Sequence, residues 1–416
     1  MSLPSVPADP VAPLASRISR MSPGLVVLTL ALLLGIQPIT TDLYLPALPA
    51  LTAGFGAPVA HAQLTLTALL LAFGVSQLVL GPLSDRFGRR PVLLWGMAAY
   101  VLAAIGGTLA PSMVMLILWR TLQGAAMGAA VMAARAIVRD LYVPAEGARV
   151  MSRALTGLGL IACLCAPVGG LVSDLFGWRI ALLVPALFGA LTLTLLVLRF
   201  DETQQRRNPE ALRPRVLLAT WATVLRHPTF LTFTALTTAA YGVLFTFLAA
   251  SSFVFIQVLG LSKTQYGLVM LWNSLAYIAG TFLCRYWLAR HGVRRSIARG
   301  AVLTLAGGTA MGLLALAGVQ TVAAIVGPLT LLMVAHGVHQ PCGQTGAVGP
   351  FPQAAGAASA LNGFLMMLVA FGIGGWLGTA IDGTTRPLAY GMWFWSVGIA
   401  LVAWLLVPRF GEARGH

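Results

Sequence analysis

Long apolar stretches without charged residues alternate with short polar breaks along almost the whole chain. The stretches are continuously apolar, whereas the strands of a membrane barrel alternate apolar and polar residues. A bilayer core needs about 20 apolar residues for each helical crossing. Twelve stretches suit that length, near residues 24–50, 62–84, 91–110, 113–137, 150–173, 178–199, 228–256, 266–289, 296–317, 320–343, 355–378 and 386–407. The pattern predicts an all-α membrane protein with twelve transmembrane helices.

The longest polar stretch, residues 200–227, divides the predicted spans into six and six. The loop after the second span reads GPLSDRFGRRP, and the loop after the eighth reads WLARHGVRRS. Both join two spans through basic residues around a glycine, although Asp85 of the first loop corresponds to Ala289 of the second. We therefore expect two related six-helix bundles that face each other across a central cavity. The expected parts are an N-terminal tail (1–22), a first bundle (23–199), a linker (200–227), a second bundle (228–408) and a C-terminal tail (409–416).

The charged residues support this topology. Hydrophobic residues make up 58% of the chain and charged residues 9%, against roughly 25% charged in a typical soluble domain. If the N-terminus is cytoplasmic, all 26 Lys and Arg residues lie in cytoplasmic segments except Arg120, Arg179, Lys263 and Arg386. This is the asymmetry of the positive-inside rule, so both termini are predicted to be cytoplasmic. The same asymmetry explains the net charge of +15 without a nucleic-acid partner.

The loop after the second span resembles the cytoplasmic signature of the major facilitator superfamily. The matching residues are Gly81, Leu83, Asp85, Arg86, Gly88, Arg89 and Arg90. An ordinary basic loop would explain the arginines but neither the glycines nor the acid. The resemblance implies a transporter fold and a conformational gate, in which the aspartate at Asp85 bonds to the second half and helps to close the cytoplasmic side.

Two further segments resemble the drug:proton antiporter branch of that superfamily. The segment LWRTLQGAAMGAAV resembles its fourth-helix motif, and GLGLIACLCAPVGGL resembles its fifth-helix motif, with Ala166 where glycine is usual. The matching residues are Arg120, Gln123, Gly124 and Gly128 in the first segment, and Gly157, Gly159, Pro167, Gly169 and Gly170 in the second. We assign Gly157, Pro167 and Gly170 to the same conformational gate as the loop at Asp85.

The segments TTDLYLPALPAL and PFPQAAGAASALNGF resemble the Bcr/CflA subgroup, which includes bicyclomycin- and chloramphenicol-type exporters. This resemblance implies proton-coupled efflux of small, amphipathic, drug-like molecules across the inner membrane of a bacterium. We expect a monomer in the lipid bilayer, with no cofactor, no metal site and no enzymatic activity.

One acid and one base, Asp42 and Arg120, lie within the predicted spans and away from their ends. Charges at that depth are costly and usually functional. At 1.5 Å per residue both lie roughly 11 Å from the outer end of their spans. We hypothesise that Asp42 carries the proton and that Arg120 holds Asp42 or relays its state through Gln123. The alternatives are an inert turn residue near Pro38 and Pro46 for Asp42, and a donor to freed backbone carbonyls for Arg120.

The substrate site is less well defined, because an apolar pocket has no characteristic residue spacing. Aromatic, Met and polar residues within the spans suit flexible recognition of varied ligands, but they also pack between helices. The candidates are Gln37, Tyr44, Gln123, Tyr241, Phe245, Met270, Trp272, Asn273, Tyr277, His339 and Gln340. His336 and His339, one turn apart, are expected to form hydrogen bonds between helices rather than a metal site.

Three alternatives to drug efflux differ in how well they fit the sequence. A proton-coupled symporter or an exporter of a small metabolite would share the fold and the coupling residues. A facilitator without coupling would follow if Asp42 carried no proton. An intramembrane enzyme would need a nucleophile or metal motif such as GxSxG or HExxH, and the sequence contains neither.

Overall fold

The computed structural model describes residues 21–142, 144–204 and 211–411, and all of its regular secondary structure is helical. Most of the predicted N-terminal tail, part of the linker and the end of the C-terminal tail lie outside the described residues. The α-helices are α1 (Pro23–Thr41), α2 (Leu48–Phe55), α3 (Val59–Phe87), α4 (Arg89–Thr108), α5 (Met113–Leu141), α6 (Pro144–Phe176), α7 (Trp178–Arg199), α8 (Pro214–Leu225), α9 (Pro228–Ser252), α10 (Lys263–Leu316), α11 (Val322–Val348), α12 (Ala355–Ala380), α13 (Arg386–Leu401) and α14 (Val407–Phe410).

The helix α10 is two membrane crossings joined at a glycine. Its 54 residues would extend about 80 Å as one straight helix, far more than the roughly 30 Å of a bilayer core. Gly292 interrupts it with φ 70° and ψ 177°, a left-handed conformation that glycine adopts at little cost. Eleven helical segments in the described chain are long and apolar enough to span a membrane, and α10 accounts for two crossings. The prediction of an all-α protein with twelve crossings is confirmed.

The first crossing, Pro23–Phe55, is broken in its middle. α1 ends at Thr41, a short 3-10 turn covers Leu45–Ala47, and α2 then runs to Phe55. Pro46 has no N–H to continue a helical ladder, and the backbone N–H of Asp42 and of Leu43 both bond to the carbonyl of Pro38. The break places Asp42 on irregular backbone at membrane depth, which is tolerated where it is buried in protein or lines a cavity.

Two ends of the molecule can be distinguished. The linker end is the one at which α3 meets α4, around Phe87–Arg90, and at which α7 ends and α9 begins. The far end is the one at which α6 meets α7 and at which α10 begins, around Asp174–Trp178 and Lys263. The first half (α1–α7) and the second half (α9–α14) meet mainly where α3 packs along α12 and α6 packs along α10.

Small residues allow the second of these contacts. A Cβ atom at Gly267 of α10 would lie 2.7 Å from Cα of Pro167 and 2.9 Å from the carbonyl oxygen of Ala166. A Cβ at Gly170 would meet the backbone of Lys263. Two of the gate residues predicted on α6, Pro167 and Gly170, therefore lie where the two halves touch near the far end.

Candidate functional site

Asp42 lies at the break in the first crossing, against the second half of the molecule. The 3-10 turn that follows it contacts α6, α9 and α10. The half-buried Asp42 side chain accepts a hydrogen bond from Thr41 Oγ1 at 2.8 Å. It lies within electrostatic range of Tyr241 on α9 and Tyr266 on α10. The acid therefore faces the interface between the halves.

α6 closes over this break from its own half. A Cβ at Gly169 would meet the carbonyl of Leu43, so the fifth-helix motif is pressed against the irregular backbone beside Asp42. Cys165, one turn earlier on α6, is also within electrostatic range of Asp42. Tyr266, Cys165 and Thr41 are neighbours of the acid that the sequence did not single out as site residues. Thr41 and Cys165 lie within quoted motifs but are not among the residues that match them, and Tyr266 lies in none.

Arg120 occupies the interior of the first half and is 1% exposed. Its Nη2 donates to the backbone carbonyl of Thr40 at 2.8 Å, and its Nη1 donates to Gln123 Oε1 at 2.9 Å. Its guanidinium also lies over the ring of Tyr44, 4.4 Å from the centroid. Thr40 is the penultimate residue of α1, so Arg120 fastens the end of that helix.

The expected direct pairing of Asp42 with Arg120 is absent. Among the described residues, no ion pair within 4.0 Å joins the two side chains. The physical reason is the helix break, which frees a carbonyl two residues before Asp42 and turns the acid toward the second half. Arg120 behaves as the donor to a freed carbonyl that the sequence left as an alternative.

A hydrogen-bonded layer surrounds the arginine. Tyr44 bonds to Thr65 Oγ1 at 2.5 Å, and Thr40 Oγ1 bonds to the Tyr100 hydroxyl at 2.6 Å. Tyr44 and Tyr100 are fully buried. Tyr44 and Gln123 therefore hold Arg120 within the first half, and Gln37, half-buried on α1, accepts from Thr41 Oγ1 through its backbone carbonyl.

Of the aromatic candidates on α9, Tyr241 and Phe245 stack with their ring centroids 6.1 Å apart and their planes 16° apart. Phe245 is fully buried, whereas Tyr241 keeps 8% exposure. Met270, one turn beyond Tyr266 on α10, is 6% exposed. Tyr241 is the member of this group that lies within electrostatic range of Asp42.

The remaining candidates of the second half lie on α10 and α11, and all except Trp272 are buried or half-buried. His339 is fully buried and its Nε2 is 3.1 Å from Thr304 Oγ1, the bond between helices that was expected. Tyr277 and His336 are in ring contact, with centroids 5.6 Å apart. Asn273 Oδ1 and Gln340 Oε1 are buried and find no hydrogen-bond partner in the described part of the chain. Trp272 lies apart from these residues, because it is 54% exposed and bonds to Thr330 Oγ1 on the molecular surface.

Within residues 21–142, 144–204 and 211–411, Asp85 at the junction of α3 and α4 has no ion pair with the second half of the kind that the resemblance implied. Asp85 pairs with Arg89 at 2.6 Å and lies 3.9 Å from Arg139, and both arginines belong to the first half. Arg89 also donates to Asp140 at 2.9 Å. The acid at Asp85 is thus neutralised locally.

The start of the linker binds this loop. Glu202 accepts hydrogen bonds from the backbone N–H groups of Arg89 and Arg90, at 2.9 and 3.2 Å, and so caps the start of α4 with a negative charge. Gly88, with φ 108°, leaves room for the carboxylate, since a Cβ there would meet Glu202. Arg90 donates to the carbonyl of Phe200 at 2.7 Å. The gate residues Gly88, Arg89 and Arg90 therefore tie the end of α7 to the start of α4.

The other gate candidates have separate environments. Gly157 on α6 packs against Ala31 of α1, and Gly81 has open space around its Cα. Arg86 lies over the ring of Phe87.

Polar contacts between the halves concentrate at the far end. Asp174 of α6 accepts from the backbone N–H and the hydroxyl of Thr264, at 3.0 and 2.8 Å, and lies 3.5 Å from Lys263 Nζ. Gln63 Nε2 donates to the carbonyl of Ala249 at 2.7 Å. At the linker end, the polar contact between the halves in the described chain is a hydrogen bond that Arg135 donates to Ser359 Oγ at 2.9 Å.

The sequence profile of the Major Facilitator Superfamily matches residues 30–375. Two curated relatives are a bicyclomycin resistance protein homolog of Haemophilus influenzae, 26% identical, and a chloramphenicol resistance protein of Pseudomonas aeruginosa, 30% identical. The first match covers 94% of this chain and 98% of the relative, and the second covers 77% and 75%. Among solved structures, the E. coli xylose transporter XylE in a partially occluded inward-open conformation matches with a TM-score of 0.73 at 15% identity, over 94% of this chain and all of that one.

Proposed function

Because this chain belongs to the major facilitator superfamily, we propose that it exports small, drug-like molecules across the bacterial inner membrane in exchange for protons. It is a multi-pass inner-membrane protein of a family of transporters. Relatives named for bicyclomycin and chloramphenicol resistance, over most of their length, support drug efflux as the function. The proposed transporter works as a monomer and changes no covalent bond in its substrate.

The observation that carries proton coupling is the place of Asp42. It is an acid at membrane depth, on broken helix backbone, at the interface between two halves that must move against each other. Its charged form has a hydrogen bond from Thr41 and no ion pair among the residues that the structure describes. A charge in such surroundings is costly, and binding a proton removes that cost.

In the proposed cycle, Asp42 takes up a proton when the interface is open at the far end and releases it when the interface is open at the linker end. Substrate and proton compete for the region around Tyr241, so that each turnover exchanges one for the other. Inward movement of one proton provides about 2.3 kcal/mol for each 100 mV of membrane potential. The linker end is assigned to the cytoplasm by the excess of basic residues there.

Arg120 is proposed to act as a positioning residue. By holding the Thr40 carbonyl at 2.8 Å, it fixes the backbone two residues before Asp42 and keeps the acid directed at the second half. The ring of Tyr44 packs against the guanidinium, so that Arg120 is held by an aromatic face and by polar groups of its own half rather than by Asp42. The acid is therefore left without a permanent counterion.

The test uses purified protein in liposomes with chloramphenicol as the probe. The first measurement is accumulation driven by an imposed pH gradient, and the second is exchange of labelled for unlabelled probe without a gradient. One pH unit corresponds to about 1.4 kcal/mol, a tenfold concentration ratio for each proton exchanged. We expect Asp42→Asn to reduce gradient-driven accumulation to the background of empty liposomes while exchange persists.

The matched control is Asp382→Asn, the same change in an exposed far-end loop. Hydrogen bonds from Thr384 lower the pKa of the Asp382 carboxyl, and its loop is exposed at the far end alone, so this acid should not carry a proton across the membrane. Gradient-driven accumulation in Asp42→Asn equal to that of the unmodified protein would remove Asp42 from the mechanism. If the unmodified protein neither accumulates nor exchanges any of a panel of amphenicols and bicyclomycin, drug export itself is refuted.

A further inference from the structure

The helix α8 within the linker has no part in the proposed exchange. It covers Pro214–Leu225, and only Arg226 and His227 separate it from the first residue of the membrane-spanning α9, Pro228. Three residue steps span at most about 11 Å. The end of α8 must therefore lie close to the membrane surface at the linker end.

One face of α8 packs on the protein. Leu217 and Trp221 are partly buried and Val224 is 1% exposed. At about 100° per residue these three side chains fall within an arc of about 60°. Packing is against α12 and α9, so the helix lies beside the second half rather than free in solution.

The flank next to Trp221 is apolar and uncovered. Leu218 is 60% exposed and Leu225 is 38% exposed, and these two residues, seven apart, lie on one stripe of the helix. The opposite flank carries Thr220 and Thr223, together with Val216. An uncovered pair of leucines is unfavourable in water but suits the boundary between headgroups and acyl chains.

Two arginines border the apolar flank. Arg215 and Arg226 are exposed and project at about 160° and 180° from Leu217. Neither forms an ion pair within the described part of the chain. The sequence has no acidic residue from Ala211 to Val258, so this charge is not balanced locally along the chain.

We propose that α8 lies in the headgroup region of the adjoining leaflet and that Arg215 and Arg226 bind the phosphates of anionic phospholipids. The Leu218–Leu225 flank enters the acyl boundary, and the guanidinium groups make charge-assisted hydrogen bonds to phosphate. An apolar flank bordered by basic residues is the pattern of an interfacial helix, and its tether to α9 supplies the proximity. The linker between the two halves is thereby fixed to the membrane plane.

The test measures lipid contact at single positions of the full-length protein. The four native cysteines are replaced by alanine, one cysteine is placed by Leu218→Cys, and an environment-sensitive fluorophore is attached. The protein is reconstituted in phosphatidylcholine containing a small fraction of spin-labelled lipid, either phosphatidylglycerol or phosphatidylcholine. We expect the emission of the fluorophore at position 218 to be blue-shifted relative to its emission in water. We also expect spin-labelled phosphatidylglycerol to quench it more strongly than spin-labelled phosphatidylcholine. Each arginine near the surface should contribute a roughly fivefold preference for the anionic lipid, and high salt should reduce it.

Two comparisons make the result specific. The same fluorophore at Thr223→Cys should report a more polar environment, because that residue lies on the opposite flank. The double variant Arg215→Gln/Arg226→Gln should lose most of the preference, whereas Arg294→Gln/Arg295→Gln, an equal loss of exposed charge in the loop at Gly292, should retain it. The proposal is overturned by equal polarity at Leu218 and Thr223, by equal quenching with the two spin-labelled lipids, or by a preference unchanged in the Arg215/Arg226 variant. None of these results depends on whether the protein transports drugs.

Discussion

Arg120 is a buried cation held by dipoles and an aromatic face rather than by an acid. Its contacts are the Thr40 carbonyl, the Gln123 amide oxygen and the Tyr44 ring. A planar guanidinium can serve all three at once, whereas an ammonium group is a single point charge. The shape of the Arg120 guanidinium, and not only its positive charge, is therefore needed to make these three contacts.

We predict that Arg120→Lys lowers the stability of the protein by about 1–3 kcal/mol, because a lysine leaves at least one buried polar partner unsatisfied. The measurement is the thermal unfolding midpoint in detergent, together with gradient-driven accumulation of the probe. Arg179→Lys is the control, since Arg179 lies over the Trp178 ring at 4.3 Å but is exposed. Equal midpoints for Arg120→Lys and the unmodified protein would show that the guanidinium contacts add nothing that an ammonium cannot.

The sequence identified Asp42 and Arg120 because deep charges are rare in a membrane, but it could not pair them correctly. Their matched depth suggested contact. The deciding feature was the carbonyl freed by the break after Thr41, which depends on backbone geometry and has no signature of its own. Neighbours such as Tyr266 and Cys165 were missed for a related reason, since an ordinary residue becomes a site residue only through packing.

At the scale of elements, periodicity and length predicted the twelve crossings but not the helix α8. That segment lies in the longest polar stretch of the sequence. Its arginines and prolines made it look like a loop, so the short amphipathic helix was not predicted. The turn at Gly292 was predicted as a loop over residues 290–295, because the charge cluster around it could not remain within a bilayer. In the structure the helix is interrupted at Gly292 alone. The docking of the linker on α4 was not predictable, since a single glutamate carries no pattern.

We predict that Glu202→Gln loosens the attachment of the linker to α4. The amide keeps one accepting oxygen and loses the negative charge at the helix start, a change worth about 0.5–2 kcal/mol. Hydrogen exchange of the backbone N–H groups of Arg89, Arg90, Thr203 and Gln204 should become faster, because all four bond to Glu202. The neighbouring Asp201→Asn, at an exposed acid, should leave these rates unchanged. Equal protection in both variants would contradict the capping role.

The molecule as a whole is closed at the far end and more loosely joined at the linker end. Lys263, Thr264 and Asp174 connect the halves at one end, while Asp85, the expected latch at the other, is bound within its own half. The sequence predicted the two halves and their interface residues on α6. It could not predict which end is closed, because the same residues must satisfy both conformations of a transporter that alternates between them.

The far-end contacts should set the balance between those conformations. Asp174 accepts two hydrogen bonds from Thr264 across the interface, whereas Asp382 accepts the same pair from Thr384 within one loop. If the far-end-closed conformation loses about 1–3 kcal/mol of stabilisation, the equilibrium between the closed and open conformations shifts roughly 5- to 150-fold toward opening at the far end. We predict that Asp174→Asn lengthens the distance between spin labels at Pro111 and Gln320, exposed far-end positions of the two halves, in pulsed electron paramagnetic resonance. Asp382→Asn should leave the distance distribution unchanged, and an unchanged distribution in Asp174→Asn as well would mean that helix packing around Gly267 alone keeps the far end shut.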